Sequence, residues 1–427
     1  MTSDARSPAQ LRQALLDALH PDARAAVDAV AAAAAPAAVF AVGGTVRDLL
    51  LGRPIRDIDL AVEGDAIAVM RAALPDAPLT THARFGTART TAGRTSIDLV
   101  SARSETYARP GALPSVRPGR IDDDLRRRDF SINALGLRLT GAPELLDPTG
   151  GLPDLDRRHI RVLHERSFLD DATRMFRAVR YATRLGFSLE DGTARLLERD
   201  AGYVATLSPA RVRREIELML LEDTAGEALG TPACVRLLEA THPSLAWDGA
   251  RAAALADPPV RVPRLPYGFA LLAADAAAAD AIVDRLRLQR DEAAAVRGIV
   301  ALREAGRMLR RKDVKPSGVV LLLDRYPLAS IAAYAATAGD EIAASLALRY
   351  LAEWRHVKPA LTGDDLVELG VPRGPQVQRG LQLIRAARLD GWADGEGDER
   401  ALALRFVKSI RDAGAAEAPI ELHLNGN

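Results

Sequence analysis

The stretch that decides the fold is Gly43-Gly44-Thr45-Val46-Arg47-Asp48, followed after a short spacer by Asp57-Ile58-Asp59-Leu60-Ala61-Val62. Two glycines close a turn after the apolar run that ends at Val42, and the residues beyond them begin a helical pattern. A backbone bare of side chains can approach a polyanion closely, and a helix N-terminus turns its N–H groups toward phosphate oxygens. Asp57 and Asp59 sit two apart in a half-buried strand pattern, so both carboxylates point to one face. Two such carboxylates repel unless a cation joins them, and oxygen ligands suit the hard cation Mg²⁺. Taken singly, the glycines read as a turn and the acids as strand-edge polarity. Within one strand–helix–strand unit, in this order, they point to metal-assisted phosphoryl or nucleotidyl transfer.

The chain has 427 residues, more than one hydrophobic core accommodates, so two to four domains are expected. Its 57 basic and 57 acidic residues balance, so no global field attracts nucleic acid and any RNA contact must come from local arginine clusters. The single cysteine, Cys234, excludes a disulfide framework and cysteine-ligated zinc, and fits a reducing cytoplasm. The N-terminus, with Asp4, Arg6 and Arg12, lacks a signal-peptide apolar region, and the Ala-rich run 25–38 is interrupted by Asp28 and Pro36. A cytoplasmic protein with no membrane association is expected.

Residues 8–33 read as an Ala-rich amphipathic helix broken at His20-Pro21. Short β-like runs follow at 39–42, 58–62, 87–91, 96–100 and 134–139, punctuated by Pro110-Gly111 and Pro118-Gly119. After Ser167 helical spacing dominates, with breaks at Ser208-Pro209, Asp257-Pro258-Pro259, Lys315-Pro316-Ser317 and Pro372-Arg373-Gly374-Pro375. The stretch 275–295 reads as one scaffold helix. The fold class is α+β, a mixed head followed by an all-α remainder.

A second cluster is Asp122-Asp123-Asp124-Leu125-Arg126-Arg127-Arg128-Asp129-Phe130-Ser131-Ile132-Asn133-Ala134. Such acidic-then-basic runs form solvated helix faces with internal ion pairs. This one feeds into an apolar segment, which sets Arg128, Asp129 and Asn133 beside buried strand structure. There a guanidinium can bind a triphosphate, while Asp or Asn can hold a ribose hydroxyl.

A third cluster is Asp170-Asp171-Ala172-Thr173-Arg174-Met175-Phe176-Arg177-Ala178-Val179-Arg180-Tyr181. Helical geometry lines up Asp171, Arg174 and Arg177 in one slanting stripe, with Arg180 nearer the flank. A salt-bridged surface helix is one reading. The other is base recognition: cytosine and adenine both present an exocyclic amine beside a ring-nitrogen acceptor. An Asp acceptor next to an Arg donor accepts that edge and rejects uracil and guanine, by roughly 1–3 kcal/mol per bidentate contact.

Three weaker signals stay open at this level. Asp98 lies between Ile97 and Leu99 on a strand and is a candidate third active-site carboxylate. Asp147 to Leu155 is a turn-rich connector, either a flexible joint or a binding element. Arg307, Arg310, Arg311, Lys312 and Lys315 form a basic patch suited to an RNA backbone or to a solvated helix end. The seven histidines show no metal-ligand spacing.

Together these motifs resemble the class II tRNA nucleotidyltransferases, the CCA-adding enzymes of bacteria and eukaryotes, and the related bacterial poly(A) polymerases. Gly43 to Asp59 is similar to motif A of that family, and Arg127-Arg128-Asp129-Phe130-Ser131-Ile132-Asn133-Ala134 to motif B. Asp147 to Leu155 is similar to motif C, Asp170 to Arg177 to motif D, and Ser208-Pro209-Ala210-Arg211-Val212-Arg213-Arg214-Glu215-Ile216 to motif E. The run Leu60-Ala61-Val62-Glu63-Gly64, with Phe85-Gly86-Thr87 downstream, resembles the tRNA enzymes more than the poly(A) polymerases. The segment from Lys358 to Leu366 and on through Leu389-Asp390-Gly391 resembles the C-terminal region of some members.

The resemblance implies a polymerase-β-like nucleotidyltransferase head followed by an all-α neck, body and tail. The corresponding segments are an N-terminal helical segment (1–34), a catalytic head (35–165), a base-recognition neck (166–230), a body (231–357) and a tRNA-binding tail (358–427). It implies two Mg²⁺ ions on Asp57 and Asp59, the triphosphate and sugar on Gly44, Arg47 and Arg128, and templating of the base by Asp171 and Arg174, supported by Arg177 and Arg180; Gly43, Asp129 and Asn133 join the nucleotide-binding set on their own chemistry. Its reaction is addition of C and A to the 3′ end of tRNA from CTP and ATP, by a monomer or homodimer. Two departures stand out: Asp170 replaces the usual Glu of motif D, and Ala172 the usual Pro. No His-Asp phosphohydrolase pattern is present. The rival readings are a CC-adding or A-adding tRNA enzyme, a poly(A) polymerase, and a non-catalytic RNA-binding relative. The residues 102–120, where a specificity-controlling loop is expected, do not choose among the first three.

Overall fold

The computed structural model describes residues 6–106, 115–311 and 313–413. Asp4, Pro110-Gly111 and Lys312 lie outside the described residues, as does the sequence beyond 413. The chain forms two compact units, Met1–Pro243 and Ser244–Asn427.

The first unit opens with helices α1 (Pro8–Ala18) and α2 (Pro21–Ala33). Ser7 and Gln10 form a capping box at the start of α1, and Pro21 opens α2 where its missing N–H costs nothing. A mixed sheet follows. Its strands are β1 (Val39–Val42), β2 (Asp57–Val62), β3 (Thr80–His82), β4 (Thr87–Ala92), β5 (Thr95–Ser101), β8 (Gly136–Arg138) and β9 (Leu145–Leu146). Two further strands, β6 (Arg103–Thr106) and β7 (Ser115–Pro118), make a separate antiparallel ribbon. The main sheet runs in the order β3-β4-β5-β2-β1-β8-β9, with β2 and β5 parallel and the remaining neighbours antiparallel.

Strand β1 is buried along its whole length, as its β-branched and aromatic residues at the sheet centre require. Ala38, Phe40, Val42 and Ala61 pack there against Ile121 and Leu125 of α5 (Ile121–Arg126). Strand β2 alternates at its start: Ile58 and Leu60 are buried, while Asp57 and Asp59 face the other way. The helices α3 (Gly44–Leu50) and α4 (Ala66–Ala73) each leave the sheet within a few residues of β1 and β2.

The rest of this unit is helical: α6 (Gly151–Arg157), α7 (Ser167–Asp170), α8 (Thr173–Leu185), α9 (Asp191–Asp200), α10 (Pro209–Leu220), α11 (Ala225–Gly230) and α12 (Pro232–Thr241). A two-residue parallel pairing joins β10 (His159–Ile160) to β11 (Ser188–Leu189). Helix α8 buries Met175, Phe176 and Val179, each contributing about 2 kcal/mol of transfer free energy. It ends at Gly186, whose φ of 68° closes a left-handed cap: Phe187 N–H donates to Ala182 O at 2.8 Å. Among the described residues no helix is long and apolar enough to cross a membrane.

Among the described residues the second unit is all helical: α13 (Gly249–Ala256), α14 (Arg264–Leu272), α15 (Ala279–Leu286), α16 (Arg290–Ala305), α17 (Pro316–Leu323), α18 (Leu328–Thr337), α19 (Glu341–Ala352), α20 (Gly363–Glu368), α21 (Pro375–Leu389) and α22 (Glu396–Ala413). Leu361, Leu366, Val371, Ile384, Ala403, Phe406 and Val407 form a core of their own. Beside it the fully buried Glu399 accepts from the N–H groups of Ala360 and Leu361 and from Arg388.

The single helix expected over 275–295 is absent. Arg287 adopts φ 45° and separates α15 from α16, with Gln289 and Glu292 forming the capping box of the next helix. The expected strand over 134–139 shortens to β8, because Ser131, Ile132 and Asn133 form a 3-10 turn just before it.

Candidate active site

A cleft of about 990 Å³ in the first unit is lined by four segments. The turn between β1 and α3 supplies Gly43, Gly44, Thr45, Arg47 and Asp48, and the sheet supplies Asp57, Asp59 and Asp98. The stretch after α5 supplies Arg127, Arg128, Asp129 and Asn133, and the region around α8 supplies Asp171, Thr173, Arg174, Arg177 and Tyr181. Of the residues read from the sequence as catalytic, metal-binding or nucleotide-binding, the cleft gathers all except Arg180. That guanidinium is buried behind the wall, donating to Glu222 at 3.2 Å and lying 3.9 Å from Glu215.

On the sheet, β2 and β5 run in register with Asp59 opposite Asp98. Alternation then puts Asp57, Asp59 and Asp98 on one face. Burial pushes the Asp59 carboxyl up from its ordinary value; Arg128 pulls it down, while Asp98 and Asp57 push it further up. Asp98 is held by its cross-strand neighbour Arg89 through two bonds of 2.6 and 2.7 Å. Thr45, which the sequence reading passed over, ties the glycine turn to this strand. Its hydroxyl accepts from Asp59 N–H at 2.8 Å and donates to Asp57 O at 3.4 Å. A Thr three residues past the strand end is a weak sequence signal, because its partner lies on the next strand.

Gly43 has φ 62°, a left-handed conformation that favours glycine, and a Cβ there would push the Arg128 guanidinium aside. The α3 helix is seven residues long, so it supplies one turn of N–H groups at the cleft.

The arginine-rich run is half what its pattern suggests. Its ion pairs are internal, as on a solvated face, but Asp124 is fully buried. One carboxylate oxygen of Asp124 accepts from Arg127 at 3.0 Å and the other from Arg128 at 3.0 Å. Burial pushes Asp124 up, but Arg128 and Arg127 together hold it below the ordinary carboxylate range. Asp129 accepts from Asn133 Nδ2 at 3.0 Å and from Arg177 Nε at 2.9 Å. Against the effect of burial, Arg177 and Asn133 bring its pKa down to about 2. Asn133 in turn accepts from Arg47 at 2.6 Å, and Asp48 grips the same guanidinium at 2.9 and 3.0 Å. A chain of charge-assisted bonds thus runs Asp48–Arg47–Asn133–Asp129–Arg177.

Tyr181 is the second group that the sequence reading did not assign. Its ring lies 5.4 Å from Arg47, 5.4 Å from Arg177, 5.2 Å from Arg180 and 4.8 Å from Arg184. The negative face of an aromatic ring explains why several guanidiniums crowd it. Two of these arginines, Arg177 and Arg184, fall at helical spacing around position 181, which was the available signal.

Asp171 differs from expectation. It is not on helix α8 but just before it, with φ −146° and ψ 100°, and its Oδ1 caps the helix by accepting from Thr173 N–H at 2.9 Å. The same oxygen accepts from Arg211 of α10 at 2.6 Å. Arg174 is buried; it donates to Ser167 Oγ at 2.7 Å and to Arg127 O at 2.9 Å. The two side chains share the cleft, each bonded to its own partners. The connector at Asp147 lines no part of the cleft. Asp147 accepts from the N–H groups of Gly151 and Leu152, and Asp154 binds Ser131 and Arg161. In the second unit the basic patch is divided: Arg311 pairs with Asp313 and Lys315 lies over Trp392.

Among the described residues no group of three or more His, Cys, Asp or Glu side chains stands arranged around a metal position. The donor set nevertheless suits Mg²⁺, which is commonly held by one or two carboxylates with phosphate and water oxygens completing the shell. Asp57 and Asp59 offer two such carboxylates, and the raised Asp59 pKa marks a place where positive charge is favoured.

Residues 39–161 match the family model described as the poly A polymerase head domain. The chain is 36% identical to the CC-adding tRNA nucleotidyltransferase of Deinococcus radiodurans, over 91% of this chain and 94% of that one. It is 34% identical to the A-adding tRNA nucleotidyltransferase of Geobacter sulfurreducens over 87% of this chain, and there it spans 45% of the relative's length. Among solved structures, the Thermotoga maritima CCA-adding enzyme complexed with tRNA superposes with a TM-score of 0.74 at 26% identity, covering 92% of this chain and 97% of that one. With the head-domain match on the sheet that carries the aspartates, and a full-length relative at this identity, the chain belongs to the tRNA nucleotidyltransferase family.

Proposed function

We propose that the protein is a template-independent tRNA nucleotidyltransferase that adds C and A nucleotides from CTP and ATP to the tRNA 3′ end. The observation that carries this reading is one cleft holding two kinds of group. A carboxylate face on β2 suits a cation, and a polar wall near α8 can meet a base edge. In the proposed segments, 35–165 is the catalytic head, 166–230 the neck, 231–357 the body and 358–427 a tRNA-binding tail. The separate core around Leu366 and Phe406 supports the last of these. The single cysteine, Cys234, is buried and its thiol pushed up to about 12 by burial, which suits work in a reducing cytoplasm.

In the proposed reaction Asp57 and Asp59 bind Mg²⁺ at the edge of the cleft. When bound, the metal lowers the pKa of the attacking 3′-hydroxyl and offsets charge on the leaving pyrophosphate. Arg128, held over Gly43 by Asp124, is aimed at the triphosphate. Asn133 and Asp129 offer polar atoms to the sugar, and Arg47 and Arg177 hold those two in place. Asp171 offers an acceptor, and Arg174 a donor, to the amine and ring nitrogen of cytosine or adenine.

The test is incubation with tRNAs lacking the CCA end, ending in CC, or ending in CCA, with CTP and ATP supplied separately. Extension of the first tRNA by CC with CTP alone, and of the second by one A with ATP alone, is the expected result. Asp57→Ala should abolish incorporation with the fold retained; full activity in that variant sinks the assignment. Unlimited A addition would identify a poly(A) polymerase. A second reading has its own support, since the Deinococcus relative is a CC-adding enzyme and the Geobacter relative an A-adding one. Under that reading only one of the truncated tRNAs is extended, with only one of the two nucleoside triphosphates.

A further inference from the structure

The Asp171 carboxylate, to which the proposed function gives the base amine, already accepts three hydrogen bonds on one oxygen. They come from Thr173 N–H at 2.9 Å, Thr173 Oγ at 2.6 Å and Arg211 Nη2 at 2.6 Å. The first two are local and fix the carboxylate at the head of α8. The third comes from another helix and is a strong charge-assisted bond, the kind that lowers what a carboxylate can offer to any other donor.

One turn further along α10 stands Glu215. It is buried, it lines the same cleft, and its Oε2 is a buried atom with no hydrogen-bond partner. An unpaired buried carboxylate oxygen is costly and calls for a reason. Burial raises its pKa, Arg177 and Arg180 pull it down, Asp171 pushes it up and Arg211 pulls it down. Arg180 lies at 3.9 Å, beyond hydrogen-bond reach, and is held by Glu222. Residues four apart on a helix are neighbours, so Arg211 can reach Glu215 by rotating its own side chain, with no change in backbone.

We infer that Arg211 is a positioning residue for base selection, exchanging between Asp171 and the unpartnered oxygen of Glu215. With Arg211 on Asp171, the carboxylate is oriented but its charge is partly spent. With Arg211 on Glu215, Asp171 is free to accept the exocyclic amine of cytosine or adenine. A base with a carbonyl at that position offers no proton to Asp171 and cannot replace the Arg211 bond. Arg211 thus raises the threshold that a base must pass, and Glu215 lowers the cost for one that passes it. The inference rests on the proposed nucleotidyl transfer and adds a selectivity device to it.

The experiment is steady-state incorporation of CMP, AMP and UMP into truncated tRNA by the full chain, comparing Arg211→Met, Glu215→Gln and the double variant. Arg211→Met should raise kcat/KM for UTP relative to CTP about tenfold, the size expected for one charged hydrogen bond. Glu215→Gln cannot neutralise the guanidinium, so KM for CTP and ATP should rise about tenfold while kcat changes little. In the double variant that KM increase should disappear, because no arginine remains to be parked. A KM increase that persists in the double variant, or a UTP-to-CTP ratio unchanged in Arg211→Met, overturns the inference. Thermal melting of each variant separates misfolding, and if Arg211→Met fails to fold, Arg211→Gln, which also removes the charge, is read for the same ratio. If the unaltered chain incorporates no nucleotide into any tRNA, it is the proposed function that fails instead.

Discussion

Two aspartates line the same cleft and are pushed in opposite directions. Asp59, on the sheet, is raised by burial and by Asp98 and Asp57, which outweigh the pull of Arg128 and Arg47. Asp129, on the wall facing it, is brought down to about 2 by Arg177 and Asn133 despite its burial. The wall is satisfied by the protein itself, whereas the sheet face carries negative charge that the protein leaves under-compensated. A surface of that kind favours positive charge from outside, while a satisfied wall holds shape. Each substitution below attacks one side of that contrast.

The largest effect is expected on the sheet. Asp59→Asn should lower nucleotide incorporation by about a thousandfold or more, since under the proposed function it removes a Mg²⁺ ligand. In chelator the same change should raise the melting temperature. The sign follows from the raised pKa. The folded protein holds the Asp59 proton more tightly than the unfolded chain, so ionisation costs nothing below the unfolded pKa and its full amount above the folded one. The gain in melting temperature should therefore be present at neutral pH and vanish in acid. A variant that is inactive but less stable at neutral pH would show that Asp59 is structurally paired, and the contrast would collapse.

On the wall, Asp129→Asn should keep the shape of the site but lose its support. Arg177, two-thirds buried, would face a neutral amide, and about 3 kcal/mol of stability should be lost at pH 7. Here the folded pKa is the depressed one. The stabilisation of about 2 kcal/mol expected from the shift alone is present above the unfolded value near 3.8, and is lost as pH falls through about 2. Urea unfolding at pH 7, and again in increasingly acid buffer, should show the difference between the two proteins shrinking. A constant difference would mean that the bond to Arg177 is not what lowers Asp129.

Arg174→Ala tests the same wall where it meets the base. Discrimination against UTP and GTP should fall by about 1–3 kcal/mol, with CTP incorporation still measurable. Unchanged selectivity counts against the base-reading role. A loss of folding would instead reflect the bonds from Arg174 to Ser167 and to the Arg127 carbonyl.

These two faces were not equally legible in the sequence. The sheet face follows from local rules: glycines at a strand end, and two acids on one side of a period-2 strand. The wall depends on pairs far apart in the chain, such as Asp129 with Arg177 and Asp171 with Arg211, and no spacing rule relates them. Asp124 shows the boundary between the two cases. Its spacing to Arg127 and Arg128 announces the ion pairs, but its burial comes from α5 packing on β1 and β2, which the run itself does not encode. Asp171 continues the helical spacing of Arg174 and Arg177, yet leaves the helix because its side chain is better used as a cap. Arg287 breaks an otherwise continuous helical pattern without a glycine or proline to signal it.

The smallest effect tests which face Asp98 belongs to. It lies in register with Asp59 and lines the cleft, which sets it with the sheet, yet Arg89 binds both its oxygens, which resembles the wall. Arg89 is 62% exposed, so the pair should be worth less than about 1 kcal/mol, and Arg89→Ala should barely change the melting temperature. Its effect should appear in cation binding instead. Freed of its partner, Asp98 adds its charge to the field at Asp57 and Asp59, and the half-saturating Mg²⁺ concentration should fall about twofold at low salt. Because that field crosses solvent, the shift should fade as ionic strength rises. A Mg²⁺ requirement unmoved at low salt would assign Asp98 to the wall, as a carboxylate whose charge Arg89 was never sharing with the cleft.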